Sequence, residues 1–109
     1  MAESYRVLGQ SRPAASVLTD TYTVASPRQA AISTINVCNS AVTPTTYRIS
    51  IAVAGAVDGL IQYIFYDDTL DGNETKAITT GYSLNSTDVV RCFSASGNVS
   101  FSVFGVEIF

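Results

Sequence analysis

Residues 47–53 have the sequence YRISIAV, and this stretch decides the fold. The larger apolar side chains stand at alternate positions, namely Tyr47, Ile49, Ile51 and Val53. Side chains of a β-strand point alternately to its two faces, so one face of this segment is apolar and the other is small or polar. The stretch therefore predicts a strand that places one face in a hydrophobic core.

Comparable patterns recur on both sides of this strand. Strand-like runs lie at residues 5–8, 18–24, 30–39, 60–67, 74–80 and 89–94, and from residue 99 onward. Turn residues separate them, and no window has the period of a helix. The sequence predicts an all-β fold, an antiparallel β-sandwich or jelly roll of about eight strands. Residues 1–16 are predicted to form an N-terminal arm and residues 17–109 the sandwich domain.

Glycine marks two turns and one irregular strand. Asp71-Gly72 and Ser96-Gly97-Asn98 are typical of hairpin turns, because glycine and asparagine tolerate a positive φ. In the last strand the apolar positions shift after Gly105 to Val106 and Ile108, so a β-bulge is predicted at Gly105.

Composition indicates a protein that works against a partner. The 109 residues are 47% apolar and 14% charged, with a net charge of −3. This is too hydrophobic for a disordered chain and lightly charged for a protein surrounded by water. The six cations are scattered singly, so no nucleic-acid surface is expected. No apolar run has the length of a signal peptide or a membrane span, so we expect neither membrane contact nor secretion, and a cytosolic location outside any assembly.

Residues that build most catalytic and metal sites are scarce. The chain has no histidine, which removes the usual general base and the commonest transition-metal ligand. Lys76 is the only lysine, and no serine flanks it in a catalytic motif. Cys38 and Cys92 are interpreted as small buried side chains, with a disulfide between them as the alternative. We predict no enzyme activity, no catalytic residue, no cofactor and no metal.

The acidic segment 67–74, with the sequence DDTLDGNE, has oxygen ligands of the kind that calcium prefers. It departs from the helix-loop-helix calcium pattern, because Thr69 and Ile78 occupy ligand positions and strands flank it. A solvated turn is the favoured interpretation. A calcium site, or a glycosidase carboxylate pair that includes Asp67 or Asp68, is the alternative.

The aromatic side chains have three interpretations. The first interpretation is core residues, because a sandwich of this size must fill its interior. The second is interface anchors. A platform for stacking sugars ranks third, since tryptophan is absent. Phe109 is expected to pack against protein. The predicted interface residues are Tyr5, Arg6, Arg12, Tyr63, Phe65, Tyr66, Phe104 and Phe109.

Several strings resemble small virion structural proteins of tailed bacteriophages. They are LGQS at 8–11, YTV at 22–24, INVCN at 35–39, YRI at 47–49, YIFYD at 63–67 and SGNVSF at 96–101. The resemblance extends over nearly the whole chain and concerns framework strands and turns, so it implies no catalytic or binding residue. It implies a capsid cement or decoration protein, a homo-oligomer, expected as a trimer, bound to the major capsid protein on the surface of a virion assembled in the bacterial cytoplasm.

Two other functions compete with this interpretation. A tail, baseplate or fibre adaptor would use the same surfaces against tail proteins. A carbohydrate-binding module is suggested by the tyrosines and aspartates of residues 63–73.

Overall fold

The computed structural model describes residues 2–109, and within that range the protein consists of β-strands, turns and two short 3-10 helices. The strands are β1 (Glu3–Ser11), β2 (Thr19–Thr23), β3 (Gln29–Asn39), β4 (Thr45–Ala52), β5 (Tyr63–Leu70), β6 (Thr75–Leu84), β7 (Val89–Ser94) and β8 (Val99–Ile108). The 3-10 helices, Val53–Gly55 and Leu60–Gln62, lie between β4 and β5. The predicted all-β class with about eight strands is confirmed.

The strands form two antiparallel sheets that pack face to face. Sheet 1 has the order β1-β8-β3-β6, and sheet 2 has the order β2-β7-β4-β5. This is the strand order of a jelly roll. In residues 2–109 only β4 and β5 are consecutive strands within one sheet. The turns at Asp71-Gly72 and Ser96-Gly97-Asn98 therefore cross between the sheets, and the hairpin predictions are wrong, because turn residues specify a reversal of the chain but not the sheet of the next strand.

The core lies between the two sheets and is centred on Tyr47. This fully buried ring has its centroid 6.0 Å from that of Phe65 in sheet 2 and 6.2 Å from that of Phe101 in sheet 1. Aliphatic side chains from both sheets surround it: Val24, Ile32, Ile35, Val37, Ile49, Leu70, Val90, Val99 and Val103. The aromatic contacts thus join the two layers through one continuous core.

The alternation predicted for residues 47–53 holds within β4 and ends with the strand. Tyr47 and Ile49 are buried, and the partly buried Ile51 packs against the same core. β4 pairs with β7 in one continuous register up to Ala52, so its side chains keep alternating between the two faces. Val53 lies beyond the strand and is exposed.

Residues expected in the N-terminal arm instead form an edge strand. β1 pairs with β8 from Glu3, opposite Ile108, to Ser11, opposite Phe101. Its side chains are mostly exposed, Tyr5 and Val7 among them. An edge strand with few buried positions lacks a clean alternation of apolar residues, which is why the sequence pattern did not reveal its full length.

Two predicted strands have different ends in the structure. The run predicted at residues 60–67 forms a strand only from Tyr63 and continues to Leu70, while Leu60 and Ile61 are exposed in a 3-10 helix. The strand predicted at residues 74–80 extends to Leu84. Hydrophobicity alone does not separate a buried strand from an exposed apolar turn.

The bulge predicted at Gly105 is not on β8. Buried positions continue in phase past the glycine to Glu107, and the irregular pairings lie on the neighbouring strands, between Val7 and Gly9 and between Ile32 and Thr34. A Cβ at position 105 would lie 2.1 Å from the carbonyl oxygen of Ala31. Glycine is required there by the close approach of β3.

Candidate interaction surfaces

The outer face of sheet 1 contains a shallow apolar depression of about 580 Å³, which we call the groove. Its principal apolar lining residues are Tyr5, Val7, Ala31, Phe104 and Val106. Gly81 borders it, with open space where a Cβ would lie. Elsewhere on this face, the outward positions of β6 and β8 also carry uncharged side chains: Thr75, Ala77, Thr79, Ser83, Ser100 and Ser102. A surface with this composition offers few charges to water.

Beneath the rim of the groove, Glu107 forms a buried ionic cluster. Its side chain is only 3% exposed and pairs with Arg6 and, at 3.3 Å, with Arg28. The hydroxyl of Tyr22 donates a hydrogen bond of 2.8 Å to the second carboxylate oxygen. Burial opposes ionisation of Glu107, but the hydrogen bond from Tyr22 and the two guanidinium groups outweigh it and lower the pKa of the carboxyl group. The cluster ties β1, β2 and the segment before β3 to β8.

A second apolar surface is the connection between β4 and β5, residues 53–61, which we call the projecting loop. Four of its aliphatic side chains are exposed: Val53 by 69%, Val57 by 91%, Leu60 by 77% and Ile61 by 97%. Its only charged residue is Asp58. Aliphatic groups concentrated in this way on a surface typically mark a contact with a partner.

The backbone of the projecting loop is fastened to the sandwich. The buried carboxylate of Asp88 accepts a hydrogen bond of 2.8 Å from the amide of Ala54. Arg91, held by an ion pair of 3.0 Å with Asp20, donates to the carbonyl oxygen of Ala56 at 2.8 Å. Further along, Tyr63 donates to Asp58 at 2.9 Å and the Gln62 amide to the carbonyl oxygen of Val57 at 3.0 Å. The loop therefore has a defined shape while its apolar side chains face outward.

The outer face of sheet 2 holds an arginine stacked between two aromatic rings. The Arg48 guanidinium lies 4.1 Å from the centroid of Tyr66 and 4.6 Å from that of Phe93. It also makes two hydrogen bonds to the Asp67 carboxylate, at 2.6 and 3.1 Å, which lower the pKa of that group. Tyr63 packs edge-on against Tyr66 at 5.1 Å. Arginine and tyrosine of this kind are enriched at the centres of protein interfaces.

Three of the four carboxylates of the acidic segment, those of Asp67, Asp68 and Glu74, form hydrogen bonds within the protein. Asp68 accepts hydrogen bonds from the Tyr47 hydroxyl at 2.6 Å and from Lys76 at 3.2 Å, and these lower the pKa of its carboxyl group. Glu74 accepts from the amide of Asp71 at 2.8 Å. Across residues 2–109, no three acidic or cysteine side chains are grouped so that they could hold a metal ion.

The two cysteines lie in different sheets, Cys38 on β3 and Cys92 on β7, and are not bonded to each other. Cys92 is fully buried, and burial raises the pKa of its thiol to about 12. Cys38 is partly exposed. The interpretation of Cys92 as a small buried side chain is confirmed, and Cys38 is less buried than expected.

The predicted interface residues fall into separate places. Tyr5, Arg6 and Phe104 meet at the groove, and Tyr63 and Tyr66 lie together on sheet 2. The other three do not join either group. Arg12 bonds to the carbonyl oxygen of Gly97, the ring of Phe65 packs against Tyr47, and the half-exposed Phe109 ring lies 4.2 Å from the Arg28 guanidinium.

Sequence reasoning missed the projecting loop. Val53 and Ile61 are apolar and continue strand-like patterns, so the sequence predicts strands at both positions. The available signal was the spacing of Gly55 and Gly59, which interrupts the run twice within five residues, and the single charge at Asp58.

Comparisons with known protein families, with curated proteins and with solved structures give no match to this chain. The resemblance to virion proteins of tailed phages therefore stays a prediction. Among residues 2–109, no helix combines the length and the apolar character needed to cross a membrane.

Proposed function

We propose that the protein is a structural component of a tailed-phage virion, a capsid cement protein that binds other copies of itself and the major capsid protein. The observation that carries the proposal is the pair of apolar surfaces, the groove and the projecting loop, on a sandwich whose core is already closed by Tyr47 and its neighbours. Exposed apolar surface concentrated in this way typically marks a site that a partner covers, because covering it removes apolar area from water.

Magnitudes favour a role in which many contacts act together. Burying a Val, Leu or Ile side chain contributes roughly 1.5–3 kcal/mol, so the four exposed aliphatic residues of the projecting loop contribute on the order of 6–12 kcal/mol. Association costs about 4–15 kcal/mol. The loop alone therefore roughly balances that cost, and stable binding needs further contacts on the same copy. An oligomer on a repeating shell supplies them through multivalency.

The fold and the chemistry are consistent with a role without catalysis. Jelly rolls occur in viral capsid domains and in lectins, and such a fold by itself does not specify function. The ionised side chains at Glu107, Asp67 and Asp68 are paired in ion pairs and hydrogen bonds that fasten strands and loops. This use of charge supports a structural protein.

Quantitative mass spectrometry of purified virions tests the proposal. We expect a copy number in the hundreds per particle, measured relative to the major capsid protein, and loss of head stability to heat in particles that lack the protein. A few dozen copies that remain with head-free tails would favour the adaptor function. Absence from washed particles would exclude a virion role.

The stack of Arg48 with aromatic rings on the outer face of sheet 2 favours carbohydrate binding as a second candidate. Tyr63 and Tyr66 supply aromatic faces beside the charged pair of Arg48 and Asp67, an arrangement that can stack and hydrogen-bond a sugar. A glycan array, run with and without calcium, measures this. Binding that Tyr66→Ala removes and Tyr5→Ala leaves intact would support it, because Tyr5 is an exposed tyrosine on the opposite sheet.

A further inference from the structure

We infer that the projecting loop of one copy binds in the groove of a second copy, so that copies join head to tail into a closed ring. The inference rests on the proposed function, because it names the partner and the contact that would assemble the cement oligomer. It concerns only contacts between copies, and the contact with the capsid is separate.

The projecting loop has the properties of an inserting element. Its backbone is held by Asp88 and Arg91, while Val57 and Ile61 are exposed by more than nine-tenths. A loop whose shape is set before binding loses little conformational freedom when it is covered. Its apolar tip can therefore enter a depression without refolding.

The groove has the matching properties of a receptor. Its lining is mostly apolar, with Ser33 and Thr80 as uncharged polar members and Arg6 at the rim. Its volume of about 580 Å³ is that of a site that holds several aliphatic side chains. At its rim the guanidinium of Arg6, which is already paired with Glu107, is 51% exposed, so the Asp58 carboxylate of the loop would be a second anionic partner for it. Apolar tip and apolar floor thus meet with complementary charges at the edge.

A second copy is the occupant that the distribution of apolar surface favours. Of the ten large hydrophobic residues exposed in residues 2–109, six belong to these two surfaces: Tyr5 and Val7 at the groove, and Val53, Val57, Leu60 and Ile61 in the loop. The groove faces outward from sheet 1, and the loop extends from sheet 2. One copy therefore does not cover its own groove, but each copy supplies what its neighbour lacks. A contact between two different surfaces is heterologous, and it forms a ring when the rotation closes.

Three single variants, each replacing one exposed valine by aspartate, test this contact, and one of them is a matched control. Val57→Asp places a charge on the loop, Val7→Asp places one in the groove, and Val42→Asp changes a valine that is 80% exposed outside both surfaces. Self-association is measured by native mass spectrometry and by sedimentation of the full chain, with circular dichroism to confirm folding. We expect the first two changes to raise the dissociation constant at least about tenfold, because an ionised group would be buried in an apolar contact, and Val42→Asp to behave as wild type. If Val7→Asp does not fold, Tyr5→Asp replaces it.

Mixing the two defective variants gives the decisive result. Val57→Asp keeps an intact groove and Val7→Asp keeps an intact loop, so the mixture, with one variant labelled with ¹⁵N, should form a one-to-one dimer that does not grow further. Persistence of the oligomer in either variant, or a mixture that stays monomeric, would overturn the inference. A monomeric wild-type chain would also overturn it, whereas the virion proposal would survive if the protein is still found on heads in large copy number.

Discussion

Replacing Glu107 by glutamine removes one negative charge and almost no volume from the interior of the sandwich. The carboxylate is nearly inaccessible to water and has three partners, Arg6, Arg28 and the hydroxyl of Tyr22. Glutamine can still accept the hydrogen bond from Tyr22 but no longer pairs with either guanidinium. The substitution therefore tests whether the ionic cluster fastens β1 and the segment before β3 to β8.

The expected loss follows from how much of each partner is exposed. Breaking a fully buried ion pair costs about 3–5 kcal/mol, because the remaining charge is left without water. Here the Arg6 side chain is 51% exposed and that of Arg28 is 35% exposed, so both regain hydration. The hydrogen bond from Tyr22 weakens from a charged to a neutral one, a difference of about 1 kcal/mol. We therefore expect Glu107→Gln to lower the free energy of unfolding by about 2–3 kcal/mol.

Urea denaturation and calorimetry at one fixed protein concentration measure this loss. With an unfolding entropy of about 2.1 cal/mol/K per residue, a change of that size should lower the Tm by roughly 9–13 °C in a domain of this length. Glu3→Gln is the matched control, because it removes the same charge from an exposed residue at the start of the same strand pair. Equal stabilities of Glu107→Gln and Glu3→Gln would refute the reasoning and show that the ion pairs of Glu107 do not add to the free energy of unfolding.

Three further predictions follow from the same structure. Folding lowers the pKa of Glu107, so its ionised form stabilises the protein at pH values above the unfolded-state pKa of about 4.3. The difference in unfolding free energy between wild type and Glu107→Gln should therefore shrink as the pH falls below about 4. A difference that stays constant in urea titrations across this range would contradict the prediction. Gly105→Ala should cost about 1–3 kcal/mol in urea denaturation, because the Cβ meets backbone atoms of β3, whereas Gly81→Ala, with open space, should cost less; equal effects would contradict the close approach. Iodoacetamide should modify Cys38 before Cys92 in the folded protein, because burial suppresses the Cys92 thiolate, and early alkylation of Cys92 detected by mass spectrometry would argue against its burial.

Local patterns in the sequence predicted the strands but not their partners. The alternation around Tyr47 and Ile49 reports which face of β4 is buried, because side-chain direction depends only on the strand itself. The sheet that receives the next strand depends on contacts far along the chain. The residues at Asp71-Gly72 and at Ser96-Gly97-Asn98 are those of a hairpin, yet both turns cross between sheets, since turn chemistry is the same in the two cases.

The sequence predicts the residues of the candidate surfaces only in part, because it shows the chemistry of each residue but not which strands become neighbours. Tyr5, Arg6 and Phe104 were predicted as interface residues from their chemistry, but only the pairing of β1 with β8 brings them to one groove. The sequence does not reveal the ionic cluster of Glu107, because this residue lies between Val106 and Ile108. The apolar character of Val106 and Ile108 suggests that these two side chains, and not Glu107, face the core. A carboxylate is tolerated at the inward position because Tyr22 on β2, Arg6 on β1 and Arg28 in the segment before β3 all reach it.

The projecting loop shows why exposed apolar surface is informative in this chain. Its conformation depends on the buried carboxylate of Asp88 and on Arg91, which is itself held by Asp20, so the fold commits polar residues to fastening it. Polar side chains at Val57 or Ile61 would keep these backbone contacts and would be better hydrated. Aliphatic residues at these exposed positions are favourable only if a partner covers them when the protein functions. The same reasoning applies to the groove, where a single charged residue on the floor would abolish the apolar character. Because the loop with its fixed backbone and the mostly apolar groove occur on one chain, the proposed contact between copies would cover both of them at once.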